Sequence, residues 1–501
     1  MFISKNDDTI CAPATIPGTG AISIIRVSGP NAFRSADSFI SCASGNISSA
    51  KGYTIKFGTA SDPSTGSVID EVLVSVFRSP HSYTGEDCVE ISCHASSYIV
   101  SEIISQLHKA GVRSATPGEF TQRAFLNGKM DLAQAEAVAD VIASSNAASH
   151  RIAIHQLKGG FSSELSAMRA SLLEIVSLME LELDFSEEDV EFADRTRLKT
   201  LVDSTLKHIS RLIDSFKAGN AIKNGVPVAI VGATNAGKST LLNALLGEER
   251  AIVSDIHGTT RDTIEETLVL DGVLFRFIDT AGLRQTEETI EKIGIKRTLQ
   301  KISDASVVLA MMDMTADVDI LSDSLEAIIE KIDFEEQKLV ILLNKMDSCD
   351  YNNFVIKQNP IVSLIDNKGF KSNIINEVAK PSAFSLKDDI YRNKLPFVPI
   401  IPISAKTGFG LDTLKSCLSD SQKDILSETD ATLLTNERHV QALTDALGSL
   451  TRVRTGLDTT LPTDLLAQDL RETLHHLGTI TGDITTDEVL GNIFRNFCIG
   501  K

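Results

Sequence analysis

The residues from Gly232 to Ser239 have the spacing G-x-x-x-x-G-K-S, which is typical of a loop that binds nucleotide phosphates. They follow an apolar, strand-like run over residues 226–231 and precede the helical run Thr240–Leu246. Glycines in such a turn let backbone N–H groups converge on phosphates at a helix N-terminus, where the partial positive charge favours anions. We expect Lys238 to reach the β- and γ-phosphates and Ser239 to hold Mg²⁺. A plain glycine turn between a strand and a helix is the alternative interpretation.

Two further elements follow in the order that a GTP-hydrolysing domain requires. Asp279-Thr280-Ala281-Gly282 comes after an apolar run over residues 275–278, so Asp279 lies at a strand end for a water-mediated contact with Mg²⁺ and Gly282 within reach of the γ-phosphate. Thr260 is the expected switch threonine that senses the γ-phosphate and Mg²⁺. Leu283 stands where Ras-type enzymes have a glutamine that orients the attacking water. Another group must therefore orient that water.

Recognition of guanine is predicted from two more segments. In Asn344-Lys345-Met346-Asp347, the Asp347 carboxylate can accept two hydrogen bonds, from guanine N1–H and the exocyclic amine, which adenine does not offer in that pattern. Ala405, in Ser404-Ala405-Lys406, supplies a backbone N–H for guanine O6. The predicted nucleotide contacts are Asn235, Ala236, Gly237, Lys238, Ser239, Thr240, Ser254, Asp255, Ile256, His257, Gly258, Thr259, Thr260, Asp279, Thr280, Ala281, Gly282, Asn344, Lys345, Met346, Asp347, Ser404, Ala405 and Lys406.

The elements around these residues predict a multidomain protein. Apolar, β-branched runs between turn residues predict strands near the N-terminus. They are Ala21–Val27, Glu71–Phe77 and Cys88–Ser92. Apolar residues three and four apart predict long helices on both sides of the nucleotide motifs. They include Leu132–Ala143, Leu165–Leu183 and Leu465–Leu477. The predicted fold class is an α+β N-terminal domain, an all-α helical domain and an inserted Ras-like α/β P-loop G domain. The predicted boundaries are 1–125, 126–222 for the first helical part, 223–424 for the G domain and 425–501 for the second helical part.

Composition limits the function classes. The chain has 501 residues, a formal net charge of −19 and a pI near 5.0, so steering of the whole molecule toward a polyanion is unfavourable. No run approaches the roughly 20 apolar residues of a membrane-spanning helix. The first ten residues lack a basic leader, which predicts a protein of the bacterial cytoplasm without a membrane anchor. The seven cysteines lack metal-ligand spacing and predict reduced thiols.

Motifs along nearly the whole chain resemble the tRNA modification GTPase family MnmE, also called TrmE. The segments that carry the resemblance are DDTICAPATIPGTGAISIIRVSGP, SYTGEDCVEISCH, PGEFTQRAFLNGKMDLAQAEAVADVI, the nucleotide motifs and the terminal FCIGK. The resemblance implies a homodimer whose N-terminal domain binds a formyl- or methylene-tetrahydrofolate. It also implies a flavoprotein partner, MnmG, which brings FAD into a heterotetramer. With that partner, the family adds a carboxymethylaminomethyl or aminomethyl group to the wobble uridine of certain tRNAs.

The same resemblance assigns further site residues. Folate contacts are implied at Arg26, Glu90, Lys129 and Lys501. K⁺ is implied where an arginine finger would place its charge, with Asn235, Ser254, Ile256 and Thr259 as ligands. Glu291 is the implied water-orienting carboxylate, which makes Glu291, Lys238 and Thr260 the candidate catalytic residues. Cys498 is implied to lie near the folate pocket.

Each of these assignments has a plainer alternative. Glu291 could open a helix over residues 291–302 as a solvated side chain, and Cys498 could be a buried structural thiol. Surface ion pairs are the corresponding interpretation of the folate residues. At the level of the whole protein, the alternative is a ribosome-assembly GTPase of the Era or Der type, although no second G domain or basic RNA-binding module follows the first. The sequence departs from the family pattern at Thr234 and Ala95, and the long 348–403 segment is interpreted as a loop insertion.

Overall fold

The computed structural model describes residues 8–184, 195–248, 266–278, 302–349, 360–366, 371–374, 397–421, 432–459, 461–495, 497 and 500. The chain forms two compact units. The first consists of Met1–Ala143, Ala153–Ile213 and Glu437–Lys501, and the second of Ser144–Ile152 and Asp214–Asn436. The first unit is therefore discontinuous in sequence. Among the described helices, none combines the length and the apolar character that crossing a bilayer requires.

A seven-stranded sheet forms the N-terminal part of the first unit, with the strand order β3-β4-β5-β6-β2-β1-β7. The strands are β1 Ile10–Pro13, β2 Gly20–Ser28, β3 Ile40–Cys42, β4 Thr54–Ser61, β5 Val68–Phe77, β6 Cys88–Ala95 and β7 Arg113–Ser114. The pairs are antiparallel except for β1 with β7. Because side chains alternate along each strand, one face is buried and the opposite face carries exposed apolar residues. The helices of this part are α1 Ala32–Asp37, α2 Ser97–Lys109 and α3 Glu119–Leu126.

Helices form the rest of the first unit. They are α4 Leu132–Ala143, α5 Ala147–Leu157, α6 Gly160–Asp184, α7 Arg195–Asp214, α12 Glu437–Asp458, α13 Thr463–Thr481 and α14 Asp487–Arg495, and α5 and α7 run across unit boundaries. A reciprocal cap starts α4, since the Gln134 backbone N–H donates to Asp131 and the Asp131 N–H donates to Gln134. Helix α13 packs against both α12 and α6. The chain after the second unit therefore returns to the same helical core.

A buried ion cluster joins three of these helices. Glu136 of α4 accepts hydrogen bonds from Arg438, at 2.9 and 3.0 Å, and pairs with His439 Nε2 at 2.7 Å, both from the first turn of α12. Arg438 also donates to the carbonyl oxygens of Thr479 and Ile480 at the end of α13. Burial alone would raise the pKa of Glu136, but His439 and Arg438 outweigh it and lower that pKa to about 2. The cluster stabilises the junction where the chain re-enters the helical core.

The second unit is built on another seven-stranded sheet, in the order β13-β14-β12-β11-β8-β10-β9. Its strands are β8 Val226–Gly232, β9 Glu266–Leu270, β10 Val273–Phe277, β11 Val307–Asp313, β12 Lys338–Asn344, β13 Lys371–Ile374 and β14 Phe397–Pro402. Its helices are α8 Phe216–Asn224, α9 Lys238–Glu248, α10 Val318–Ile329 and α11 Leu411–Asp420, and residues 360–366 are also helical. All pairs are parallel except β9 with β10. Apart from the polar residues at their ends, the central strands β11 and β12 are apolar, as both faces of a covered parallel sheet require.

The predicted fold class is confirmed. The N-terminal part mixes sheet and helices, the flanking part is helical, and the inserted part alternates strands and helices around a phosphate-loop strand. One detail differs from expectation, because the 348–403 segment is not loop throughout. It contributes β13, which pairs with β14 at the sheet edge. A polar four-residue strand carries little periodic signal, so the sequence alone did not indicate it.

Candidate functional site

The phosphate loop joins β8 to α9. Asn235 and Gly237 have φ values of 65° and 100°, so the backbone turns through left-handed conformations before the helix begins at Lys238. A side chain at Gly237 would place Cβ 2.4 Å from Asn344 Nδ2, which is too close for any residue other than glycine. Lys238 Nζ donates to the Gly232 and Ala233 carbonyl oxygens at 2.9 and 2.8 Å. The Lys238 side chain therefore folds back onto the carbonyl groups at the start of its own loop.

Asn344, the last residue of β12, connects this loop to the segment that follows β14. Its side-chain Nδ2 donates to the Ala236 carbonyl oxygen at 2.7 Å, and its Oδ1 accepts the Ala405 backbone N–H at 3.0 Å. The residue is 3% exposed, so both bonds are made away from water. One amide therefore joins a predicted phosphate-binding residue to a predicted base-binding residue.

The base-recognition carboxylate is held by a hydroxyl group. Ser404 Oγ donates to Asp347 Oδ1 at 2.6 Å. That hydrogen bond holds the pKa of Asp347 below its usual range. Asp347 is exposed, whereas Ala405 beside it is buried. An ionised, fixed carboxylate matches the N1–H and amino donors on one edge of guanine.

Asp313 belongs to the same hydrogen-bond network as Asn344, although no sequence motif indicated it. Its Oδ2 lies 2.7 Å from Lys345 Nζ, and its Oδ1 accepts the backbone N–H and hydroxyl of Thr315. Burial alone would raise the pKa of Asp313, but the bonds from Lys345 and Thr315 outweigh it and lower that pKa. The parallel register sets Asp313 opposite Asn344 on the neighbouring strand. Only this tertiary pairing identifies the residue.

Part of the predicted nucleotide site lies outside the described residues. This part comprises Ser254, Asp255, Ile256, His257, Gly258, Thr259, Thr260, Asp279, Thr280, Ala281, Gly282 and Glu291. The K⁺ ligands other than Asn235, the switch threonine and the carboxylate predicted to orient water therefore stay predictions. Ser239 and Thr240 are the second and third residues of α9, directly after the loop. Lys406 and Met346 lie in the segments that carry Ala405 and Asp347.

The N-terminal sheet brings two of the predicted folate residues together. Arg26 of β2 is paired with Glu90 of β6, and its Nε and Nη2 donate to Glu90 Oε1 at 3.0 and 2.8 Å. Among the described residues, Glu90 Oε2 has no hydrogen-bond partner. The Arg26 guanidinium lies 5.1 Å from the Tyr83 ring centroid and 5.7 Å from that of Phe120. A charged pair thus lies on the open sheet face with two aromatic rings beside it.

The C-terminal end of the chain reaches the same place. Arg26 Nη1 donates to the Gly500 carbonyl oxygen at 3.3 Å. A Cβ at Gly500 would lie 2.2 Å from the Pro13 carbonyl oxygen, and φ there is 97°, so the close approach requires glycine. Lys501 and Cys498 lie outside the described residues. Lys129 Nζ donates to the Pro80 carbonyl oxygen at 3.0 Å, and its predicted contact with a folate stays a prediction.

Through this bond, Lys129 helps to hold the loop that carries Tyr83. That loop is also fixed by the Tyr83 hydroxyl, 2.8 Å from Thr121 Oγ1, and by Asn127 Nδ2, which donates to the Thr84 carbonyl oxygen at 2.8 Å. Helix α3 and the turn after it therefore position the aromatic side of the site. Sequence reasoning missed Tyr83, because its relation to Arg26 depends on long-range packing.

These features define first a class of protein. The second unit has a mostly parallel sheet, with a G-x-x-x-x-G-K-S loop, an Asn-Lys-x-Asp segment and a Ser-Ala-Lys segment at the ends of its strands. This combination defines the guanine-nucleotide-binding domain of a P-loop GTPase. Two family profiles then match the chain: "GTP-binding protein TrmE N-terminus" over residues 9–129 and "MnmE helical domain" over residues 132–498.

Curated relatives extend the match over the whole chain. The tRNA modification GTPase MnmE of Bacteroides thetaiotaomicron is 49% identical over 99% of this chain and 100% of the relative. The protein of the same name from Parabacteroides distasonis is 47% identical over 98% of this chain and 100% of its own length. That from Flavobacterium psychrophilum is 47% identical over 99% of each chain. The chain belongs to the MnmE family.

Proposed function

We propose that this protein is a K⁺-activated GTPase that acts in folate-dependent modification of tRNA. Its product would be a carboxymethylaminomethyl or aminomethyl group at C5 of the wobble uridine of certain tRNAs, formed together with a flavoprotein partner of the MnmG type. The names of its relatives support two parts of this proposal, the GTPase activity and the role in tRNA modification. The folate-dependent part of the proposal is supported by the presence of two organised sites in one chain. They are the hydrogen-bond network around Asn344 and the Arg26–Glu90 pair with Gly500.

At the nucleotide site, the residues present fit GTP with Mg²⁺. Backbone N–H groups of the loop and Lys238 would bind the phosphates, Ser239 would hold Mg²⁺ and Asp347 would select guanine. K⁺ held by Asn235 and the Ser254–Thr259 segment would offset charge that develops near the β/γ-phosphate bridge during cleavage. Glu291 would orient the water.

The potassium proposal is tested by GTP turnover in KCl and in NaCl at equal ionic strength. We expect faster turnover in KCl for the wild-type chain, and loss of that stimulation in Asn235→Ala with GDP binding retained. Equal rates with either salt in the wild type would remove K⁺ from the mechanism.

At the N-terminal site, the donor set fits a reduced folate. Arg26 supplies a guanidinium for the glutamate carboxylates, Glu90 Oε2 is an acceptor for the N–H groups of a pterin, and the rings of Tyr83 and Phe120 flank the pair. When bound, the folate would supply the one-carbon unit. Lys501, directly after Gly500, and Cys498, two residues before it, would close the site from the C-terminus.

Equilibrium binding of 5-formyltetrahydrofolate to the full-length protein tests this site. Loss of a charge-assisted hydrogen bond costs about 1.5–3 kcal/mol, so Arg26→Ala should weaken binding by at least about tenfold. Arg34→Ala, an exposed arginine on α1, is the matched control and should bind as the wild type does. A wild-type protein that hydrolyses GTP but binds no reduced folate would favour the alternative, an RNA-binding GTPase of the Era or Der type.

The open face of the N-terminal sheet supports the proposed homodimer. Phe57 of β4 is registered opposite Leu73 of β5, and both are exposed, as are Ile55 and Ile22. The same face carries Arg26. A second copy covering these apolar side chains would remove them from water and lie next to the folate residues. Phe57→Asp should therefore shift the sedimentation coefficient from that of a dimer to that of a monomer, and a dimer that persists would exclude this face.

The tRNA and the place of action complete the proposal. A net charge of −19 disfavours binding of the whole molecule to a polyanion, so we propose that the flavoprotein partner supplies much of the tRNA contact. The proposed location is the bacterial cytoplasm, where the tRNA is.

A further inference from the structure

Asp313 lies outside every nucleotide-binding motif in the chain, yet it contacts one of them. It ends β11, opposite Asn344 at the end of β12, and the Met314 N–H donates to the Asn344 carbonyl oxygen at 3.1 Å. Its carboxylate is held from two sides. Oδ1 accepts the hydroxyl and N–H of Thr315 at 2.6 and 3.0 Å, and Oδ2 lies 2.7 Å from Lys345 Nζ. The bonds from Thr315 therefore orient the carboxylate toward Lys345.

Lys345 lies between the residue that contacts the phosphate loop and the residue predicted to recognise the base. Its φ of 67° is a left-handed conformation that lysine rarely adopts, and it lies between Asn344, whose amide reaches the phosphate loop, and the base-recognition residue Asp347. A lysine side chain has four rotatable bonds, so ordering it during binding costs conformational entropy. The Asp313 contact ties the far end of that side chain. The aliphatic part of Lys345 is thereby restrained two residues before the base-recognition residue Asp347.

We infer that Asp313 is a positioning residue for guanine recognition: it fixes Lys345 so that the lysine stem packs on the base without having to be ordered during binding. The inference rests on the proposed binding of guanine nucleotides. Because Asp313 acts on the base end of the site, it affects affinity for the nucleotide and leaves phosphate cleavage alone. The simpler interpretation is an ion pair that only ties the ends of two neighbouring strands, with little effect on binding.

A double-mutant cycle on the full-length protein separates these interpretations. Asp313→Asn keeps the size of the side chain and the acceptor for Thr315, and Lys345→Met keeps an unbranched stem without the charge. The probe is a fluorescent N-methylanthraniloyl GDP, whose Kd is measured for both single variants and the double variant. We expect Asp313→Asn to raise Kd by about five- to tenfold. The double variant should bind within about twofold of the weaker single variant, because both changes remove one shared interaction.

Turnover supplies the readout that a purely structural role would not move. For Asp313→Asn, KM for GTP should rise by the same factor as Kd, with kcat at saturating GTP unchanged. Asp319→Asn, with the same loss of charge at an exposed position of α10, should behave as the wild type. Wild-type Kd in Asp313→Asn, effects of the two substitutions that multiply, or a fall in kcat would each overturn the inference. If the wild-type protein bound no GDP, the proposed function itself would fail before any variant was compared.

Discussion

Replacement of Asn344 by alanine should disable nucleotide binding more than any other single change in the described part of the site. The side chain makes two buried hydrogen bonds, to the Ala236 carbonyl oxygen at 2.7 Å and from the Ala405 N–H at 3.0 Å. Alanine leaves both backbone groups unpaired at a position where Asn344 is only 3% exposed. Each unpaired buried group costs about 1–3 kcal/mol, so the total is about 2–6 kcal/mol.

Only part of this cost appears in binding. Some of it destabilises the folded domain with or without nucleotide, and the rest comes from two loops that are no longer held in their binding geometry. If about half of the total affects binding, the loss is about 1–3 kcal/mol, and the middle of this range corresponds to a Kd for GDP about 30-fold higher. The space left beside Gly237, whose ideal Cβ would lie 2.4 Å from Asn344 Nδ2, adds to the loosening of the phosphate loop.

The assay is a fluorescence titration of N-methylanthraniloyl GDP with circular dichroism as a check on folding. Asn344→Asp tests the two hydrogen bonds separately. It keeps the acceptor for the Ala405 N–H but places a carboxylate oxygen against the Ala236 carbonyl oxygen. We expect it to bind no better than Asn344→Ala. If Asn344→Ala folds and binds GDP within twofold of the wild-type affinity, the two hydrogen bonds do not organise the site.

Three other predictions concern different parts of the chain. Gly500→Ala should weaken binding of 5-formyltetrahydrofolate about tenfold in equilibrium dialysis and leave GTP turnover unchanged. The reason is that its Cβ would collide with the Pro13 carbonyl oxygen, and backbone strain of this kind costs about 1–3 kcal/mol. Unchanged folate affinity would contradict this prediction. Glu136 has a folded-state pKa lowered from 4.5 to about 2, so it contributes up to about 3 kcal/mol of stability above pH 4.5, and this stability is lost as the pH falls toward 2. Glu136→Gln should therefore flatten that part of the curve of urea midpoint against pH, and an unchanged curve would count against the ion cluster. Glu291→Ala should abolish GTP turnover and spare GTP binding, and comparable turnover in the variant would remove this assignment.

The nucleotide domain was largely predictable because its chemistry is local in sequence. Gly237, Lys238, Asn344 and Asp347 lie in short motifs directly after apolar strands, and parallel strands bring their C-terminal ends to one edge of a sheet. What the motifs could not show was how they are tied together. The bonds of Asn344 to two separate loops, and the contact of Asp313 with Lys345, depend on strand order, which no single segment encodes.

The N-terminal site was accessible from the sequence only through resemblance. Arg26 and Glu90 are far apart in the chain and become neighbours because β2 pairs with β6. Alternation along β2 predicts that Arg26 lies on one face, but it does not say which strand is adjacent. The approach of Gly500 to Arg26 is less predictable still, since it depends on the path of the chain after α14.

The most direct test of the proposed function is the nucleoside composition of tRNA from a strain whose copy of this gene is deleted. Mass spectrometry of the digested tRNA should show wobble uridines without carboxymethylaminomethyl or aminomethyl groups at C5. The wild-type gene should restore these groups, whereas Arg26→Ala and Asn344→Ala should not. Fully modified wobble uridines in the deletion strain would contradict a role of this protein in tRNA modification.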